Sequence, residues 1–138
     1  TQPTKKNNIL IAKTDFFPRV QNHFSIEKVF TFENSPKVLL PITIDLFGKN
    51  ETYVFGQFLD LEKSIYHIKN DYFDYHQLSG IYTKSYKFLI SNEPHKTKNP
   101  QQHYFWSEIR KIKTHQYIDI SELEVIEEYA IKHQVQPD

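Results

Sequence analysis

The sequence predicts an α+β fold that is mostly antiparallel β: a curled sheet or small, partly open barrel with a C-terminal capping helix. Three observations predict it. Two β-rich runs, Val38 to Phe47 and Thr52 to Leu59, flank a short Gly48-Lys49-Asn50 link of hairpin type. Further short runs rich in Ile, Tyr and Phe recur along the chain between polar stretches, as half-buried strands do. The clearest helical signal comes last, where Ser121-Glu122-Leu123-Glu124 reads as a capping box, acidic residues fill the first turn, and Lys132 and His133 lie in the last.

In chain order, residues 1–8 are polar and aperiodic and read as a flexible lead-in to a single globular domain over residues 9–138. Ile9-Leu10-Ile11-Ala12 is an apolar run suited to a strand. Residues 15–34 fit neither period and read as a short helix or loop ending in a strand near Lys28 to Glu33. In the first arm of the hairpin Ile42, Ile44 and Leu46 alternate with Thr43, Asp45 and Phe47, and Pro41, which lacks the N–H a ladder needs, marks its start. Residues 60–72 carry a helical stripe of Leu61, Ile65, Ile68 and Tyr72 with Asp60 as N-cap, but β propensity favours a strand over Ser64 to Lys69. Strands are expected over Ser79 to Lys84 and Ser85 to Ser91, with Gly80 as a bulge. Asn92 to Gln102 is the longest loop, and strands follow over His103 to Ile112 and Tyr117 to Ile120. The final helix turns Leu123, Ile126 and Ala130 inward, with Tyr129 beside them.

The stretch Tyr104 to Ile112, then Tyr117 to Ile120, then the helix from Ser121, resembles the late strands and capping helix of pleckstrin-homology-like domains. This fold analogy covers about a quarter of the chain. Oligonucleotide-binding-like and lipocalin-like barrels also accommodate the strands, although the Gly-aromatic signature of a lipocalin is absent.

Composition bounds the function. The 138 residues hold 17 Lys and Arg against 17 Asp and Glu and no Cys, which excludes disulfides, thiolate metal sites and Cys nucleophiles. No apolar run approaches the roughly 20 residues of a membrane span. A chain without Met that begins Thr1-Gln2-Pro3-Thr4 reads as a fragment or processed product, cytoplasmic or exported. The three glycines, at 48, 56 and 80, form no phosphate loop, and neither Ser79-Gly80 nor Ser107-Glu108 lies in a nucleophile elbow.

What remains is three constellations. Nine Tyr, eleven Phe and one Trp exceed the needs of a core this size, so some of the rings are expected at the surface, where Tyr and Trp serve interfaces. The leading expectation is a non-catalytic protein-binding module, an adaptor or a small inhibitor or immunity-type protein, using an aromatic face and the 92–102 loop through Tyr86, His95, Lys96, Lys98, His103 and Tyr104. Charge supplies the alternative: residues 84–115 hold seven cations against two carboxylates, and residues 116–138 six carboxylates against one cation. Lys84, Lys87, Arg110, Lys111 and Lys113 could take a lipid headgroup or single-stranded nucleic acid, unless the acidic helix packs beside them and cancels their field. The third constellation, His67, Asp71, Asp74 and His76, carries the residue types of a metal-assisted hydrolase. No cofactor is expected.

Overall fold

The computed structural model describes residues 8–138. The chain runs α1 (Asn8–Val20), β1 (Ser25–Phe30), β2 (Ile42–Lys49), β3 (Tyr53–Phe58), α2 (Ile65–Ile81), β4 (Ser85–Ser91), α3 (Pro100–Ile109), β5 (Gln116–Asp119), a 3₁₀ turn (Ile120–Glu122), α4 (Glu124–Lys132) and β6 (Gln136–Pro137). The fold is α+β. Its mixed sheet is open, with strands in the order β1-β2-β3-β4-β5, and β6 pairs with the far end of β2. The β1–β2, β2–β3 and β2–β6 pairs are antiparallel, while β3–β4 and β4–β5 are parallel because α2 and α3 cross over between them.

Two helices cover each face. On one, Ile9, Phe16 and Val20 of α1 and Ile126 and Ala130 of α4 pack on Leu46, Val54, Phe58, Phe88 and Ile90. On the other, Ile68, Tyr75 and Leu78 of α2 and Ile109 of α3 pack on Ile42, Ile44, Phe47, Phe55, Leu59 and Leu89. Helices on both faces force the central strands to be apolar throughout, which is why Val54 to Leu59 is a continuously buried run.

The hairpin, the start of β2 just after Pro41, β4 and β5 follow the sequence reading. Gly48 is not a turn residue: it lies inside β2, where a Cβ would stand 2.6 Å from the His23 carbonyl oxygen and 2.7 Å from Val135 Cγ1. Only glycine lets the backbone after α1 and the approach to β6 close on β2 here.

Four segments expected as strands are helical in whole or in part. Residues 9–12 belong to α1, whose inward stripe at residues 9, 16 and 20 has helical spacing. Residues 64–69 open α2, and the cap is Ser64, which accepts the His67 N–H, not Asp60. Residues 79–81, with Gly80, complete α2 and make no bulge. Residues 103–109 belong to α3, which starts at Pro100, so the long loop ends at Asn99. Among the described residues the curled barrel with one capping helix is therefore replaced by an open sheet with four helices. The buried face of α4 is as expected, but its capping box is not formed: Asp119 accepts the Ser121 N–H and hydroxyl and caps the preceding 3₁₀ turn. The lead-in expected at residues 1–8 falls outside the described residues except for Asn8, which opens α1. Among the described residues no helix is long and apolar enough to cross a membrane.

Candidate functional site

The alternation of β2 fails at one residue. Ile42 and Ile44 face α2, but Leu46 faces α1, contrary to the expected single apolar side. The break is at Asp45. Its neighbours Ile44 and Leu46 pair with Lys28 and Ile26 of β1, yet Glu27 between them takes a left-handed φ of 50°. On the other side, regular pairing of β2 with β3 stops at Leu46–Gly56, and the strands fork.

Side chains replace the missing ladder. Asp45 Oδ2 accepts the Phe58 N–H at 2.8 Å, and the Asp45 N–H donates to Gln57 Oε1 at 3.0 Å. Gln57 Nε2 donates to the Thr43 and Asp71 carbonyls at 3.2 and 3.0 Å, and the Thr43 N–H donates to Asp74 Oδ2 at 3.1 Å. Lys13, reaching from α1 past the Phe17 and Phe58 rings, places its ammonium 3.3 Å from Asp45 Oδ1. Asp45 and Gln57 are 6% and 3% exposed, so a carboxyl and an amide lie inside the sheet layer, with the half-buried Lys13 at their edge. Burial pushes the Asp45 carboxyl above the ordinary range against the pull of Lys13. It also raises Asp71, against Lys13 and with the charge of Asp74 adding to it, and raises Asp74 despite the Thr43 N–H. The fork sits at the carboxyl end of β3, the edge toward which the N-terminus of α2 points, and open α/β sheets hold ligands at such an edge.

The second region is the outer surface of α2. On one flank Phe73, Gln77 and Ile81 face Lys37 to Leu40 across a groove of about 190 Å³. On the other, Ile65, Ile68, Lys69 and Tyr72 face Tyr104, Phe105 and Glu108 of α3 across an apolar groove of about 340 Å³. Leu39 and Leu40 are 83% and 69% exposed and Phe73 50%, an uncovered apolar face of the kind that marks interaction sites.

The structure disperses the residues expected to bind protein. Tyr104 lines the α2–α3 groove, whereas Tyr86 stacks on Tyr129 on the opposite side of the sheet, ring centroids 4.4 Å apart. The loop is internally tied: His95 Nδ1 accepts the Thr97 and Lys98 N–H groups, and His103 Nε2 meets Glu93 Oε2 at 2.7 Å, while Lys96 is exposed. Of the expected metal set, the Asp71 backbone carbonyl and the Asp74 carboxylate meet the fork, and His67 folds back on Ser64 Oγ at 2.9 Å. His76, nine residues beyond His67 on one helix, faces the opposite way and beds against Tyr72. No group of three or more His, Asp or Glu suited to a metal exists among the described residues.

The basic set divides too. Arg110 stacks on Trp106 at 4.3 Å and Lys111 approaches Glu108 at 3.5 Å, whereas Lys87 and Lys113 line a crevice between the amino ends of β4 and β5, with Lys84 exposed just before β4. The acidic helix α4 packs on the other face of the sheet, and among the described residues its ion pair is with Arg19, not with these cations. Lys13, Asp45 and Gln57 are absent from the sequence-level candidates; the one legible sign was a charged residue in an otherwise apolar β2. No family model matches the chain, nor does any curated protein or solved structure, so the pleckstrin-homology-like resemblance gains no neighbour.

Proposed function

We propose that the protein is a non-catalytic binding module that takes an apolar segment of a partner protein along α2. The observation that carries this reading is the pair of grooves flanking α2, bordered by the exposed Leu39, Leu40 and Phe73. Burying such side chains stabilises a complex by about 1.5–3 kcal/mol each, and aliphatic or aromatic anchors entering grooves are the usual source of affinity. Lys37 on one rim and Lys69 on the other favour a segment with acidic flanks. Tyr104 at the outer wall is the one residue of the expected aromatic face that belongs to this surface.

Selection of random displayed peptides on the folded protein tests this, with Phe73→Asp as counter-target. The expected outcome is enrichment of sequences with two spaced apolar anchors and acidic flanks, lost on the variant. Equal enrichment on both proteins would sink the reading.

A second reading, metal-assisted hydrolysis of a phosphoester, rests on the fork. The charge of Asp71 adds to the rise of the Asp45 carboxyl, and Lys13 pulls both carboxyls down. Magnesium is commonly held by one or two carboxylates together with substrate phosphates, so the fork need not supply a third ligand. In this reading Asp45 and Asp71 would hold the cation, while Lys13 and the N-terminus of α2 would attract the phosphate. Cleavage of bis(p-nitrophenyl) phosphate with added magnesium, abolished by Asp45→Asn, is the expected outcome; a wild-type protein inert under those conditions contradicts it.

A further inference from the structure

The crevice between the amino ends of β4 and β5 has a volume of about 420 Å³ and is lined by Lys87, Lys113, Thr114, His115, Ser85 and Gln116, with Tyr86 at one side. It forms where α2 and α3 end, because each crossover helix delivers the chain to the start of the next parallel strand. Helix C-termini attract cations, so the first question is whether the lysines merely serve the helix ends. They do not. The Ile109 carbonyl at the end of α3 takes the His115 Nε2–H at 2.8 Å, and the Trp106 carbonyl takes the Arg110 N–H. At the end of α2 the Tyr82 N–H donates to Leu78 O and Ser85 Oγ donates to Tyr82 O.

Nor are the lysines neutralised by acids. Among the described residues the ion pairs are Lys13–Asp45, Arg19–Glu127, His103–Glu93 and Lys111–Glu108, and none reaches Lys87 or Lys113. By the alternation of β4, Lys87 shares the face of Leu89, opposite Phe88 and Ile90, so the sheet separates it from the acidic α4. Burial, with the charge of Lys87 adding to it, holds the His115 pKa below its ordinary value, which keeps that ring a neutral donor to Ile109. Two lysines without an acidic partner therefore line, together with Thr114, a polar crevice whose lining contains no carboxylate.

We propose that this crevice binds a phosphate-type oxyanion, free in solution or carried on a lipid headgroup, through Lys87, Lys113 and Thr114. Charge-assisted hydrogen bonds from two lysines match the three oxygens of a terminal phosphate, and the cavity admits the group to which it is attached. The site lies on a different edge of the sheet from the fork and away from the outer surface of α2, so it stands or falls independently of the peptide and hydrolase readings.

The test is titration of the isotopically labelled protein with inorganic phosphate at constant ionic strength, followed by amide resonances, against acetate as control. The expected result is saturable shifts confined to residues 85–87 and 113–116, and affinity at least about tenfold weaker in Lys87→Gln/Lys113→Gln, one charge-assisted hydrogen bond lost being sufficient for that factor. Retention of the remaining spectrum shows that the variant is folded; if its spectrum collapses, Thr114→Val with Lys113→Gln serves instead. Sedimentation with phosphatidylcholine vesicles containing a phosphoinositide, against vesicles containing phosphatidylserine, separates the sources: selective pelleting assigns the headgroup, and phosphate binding without pelleting assigns the soluble anion. Absence of saturable shifts, equal shifts with acetate, or unchanged affinity in the folded variant overturns the proposal.

Discussion

The fork around Asp45 and the outer surface of α2 lie on opposite sides of the same helix and are built in opposite ways. In the fork, Asp45 and Gln57 are buried and their donors and acceptors are answered by named partners, so the removal of one strands another. Beside α2 the exposed Leu39, Leu40 and Phe73 are apolar and make few demands on their neighbours. The contrast separates what the fold requires from what it leaves available. A region whose every group is committed carries stability, and any chemistry there must displace an existing bond. A region of exposed apolar groups carries little stability and is free to acquire a partner.

Substitutions can break that contrast. The largest loss is expected for Gln57→Leu, which leaves the Asp45 N–H and the Thr43 and Asp71 carbonyls without their side-chain partner. At about 1–3 kcal/mol for a buried unpaired group, with water recovering part of it, the variant should lose about 3 kcal/mol in urea unfolding. Asp45→Ala should lose about 2 kcal/mol at pH 7, because the Phe58 N–H and Lys13 are stranded while the cost of burying the carboxylate is relieved.

Lys13→Met sharpens the comparison through pH. Burial raises the Asp45 pKa in the folded protein, and Lys13 is the largest influence that lowers it. A group with a raised folded pKa contributes stability that is complete below its unfolded value, about 3.9, and is lost as pH climbs through the folded value. Without Lys13 the folded pKa rises further and that loss deepens. The variant should therefore be about 1–2 kcal/mol less stable than the parent at pH 7 and closer to it at pH 4, as read from denaturation midpoints. A pH-independent difference would mean that Asp45 does not ionise in the fold.

The smallest effect on stability is expected along α2. Phe73→Asp with Leu39→Ser should change stability by no more than about 0.5 kcal/mol while abolishing peptide capture. A large loss of stability would show that these side chains serve the core after all.

The fold was legible where local chemistry had no competitor. The β2–β3 hairpin was readable because two β-rich runs flank a short polar link, although Gly48 belongs to β2 and the alternation breaks at Asp45, and α4 because its apolar face and terminal charges agree. Residues 9–12, 64–69 and 103–109 misled because Ile, Tyr and Phe suit a pleated surface as well as the inner stripe of a helix packed on a sheet. For α3 the sequence did hold a deciding sign, Pro100 at the first helical position behind Asn99. Asp71 and Asp74 could be singled out as a charged pair beside histidines. Lys13, Asp45 and Gln57 could not, since they are scattered over 45 residues and no fixed spacing ties them together.

From the sequence alone came the α+β class, the hairpin, the buried stripe of the last helix and the exclusion of thiol chemistry, because each depends on residue types or on periodicity within a few turns. Tertiary structure alone decided that β3, β4 and β5 run parallel, that Asp45 meets Lys13 and Gln57, and that two lysines face a crevice without an acid. Those outcomes depend on which distant backbones lie side by side, and that is fixed by burial on both faces of the sheet, which no local pattern encodes.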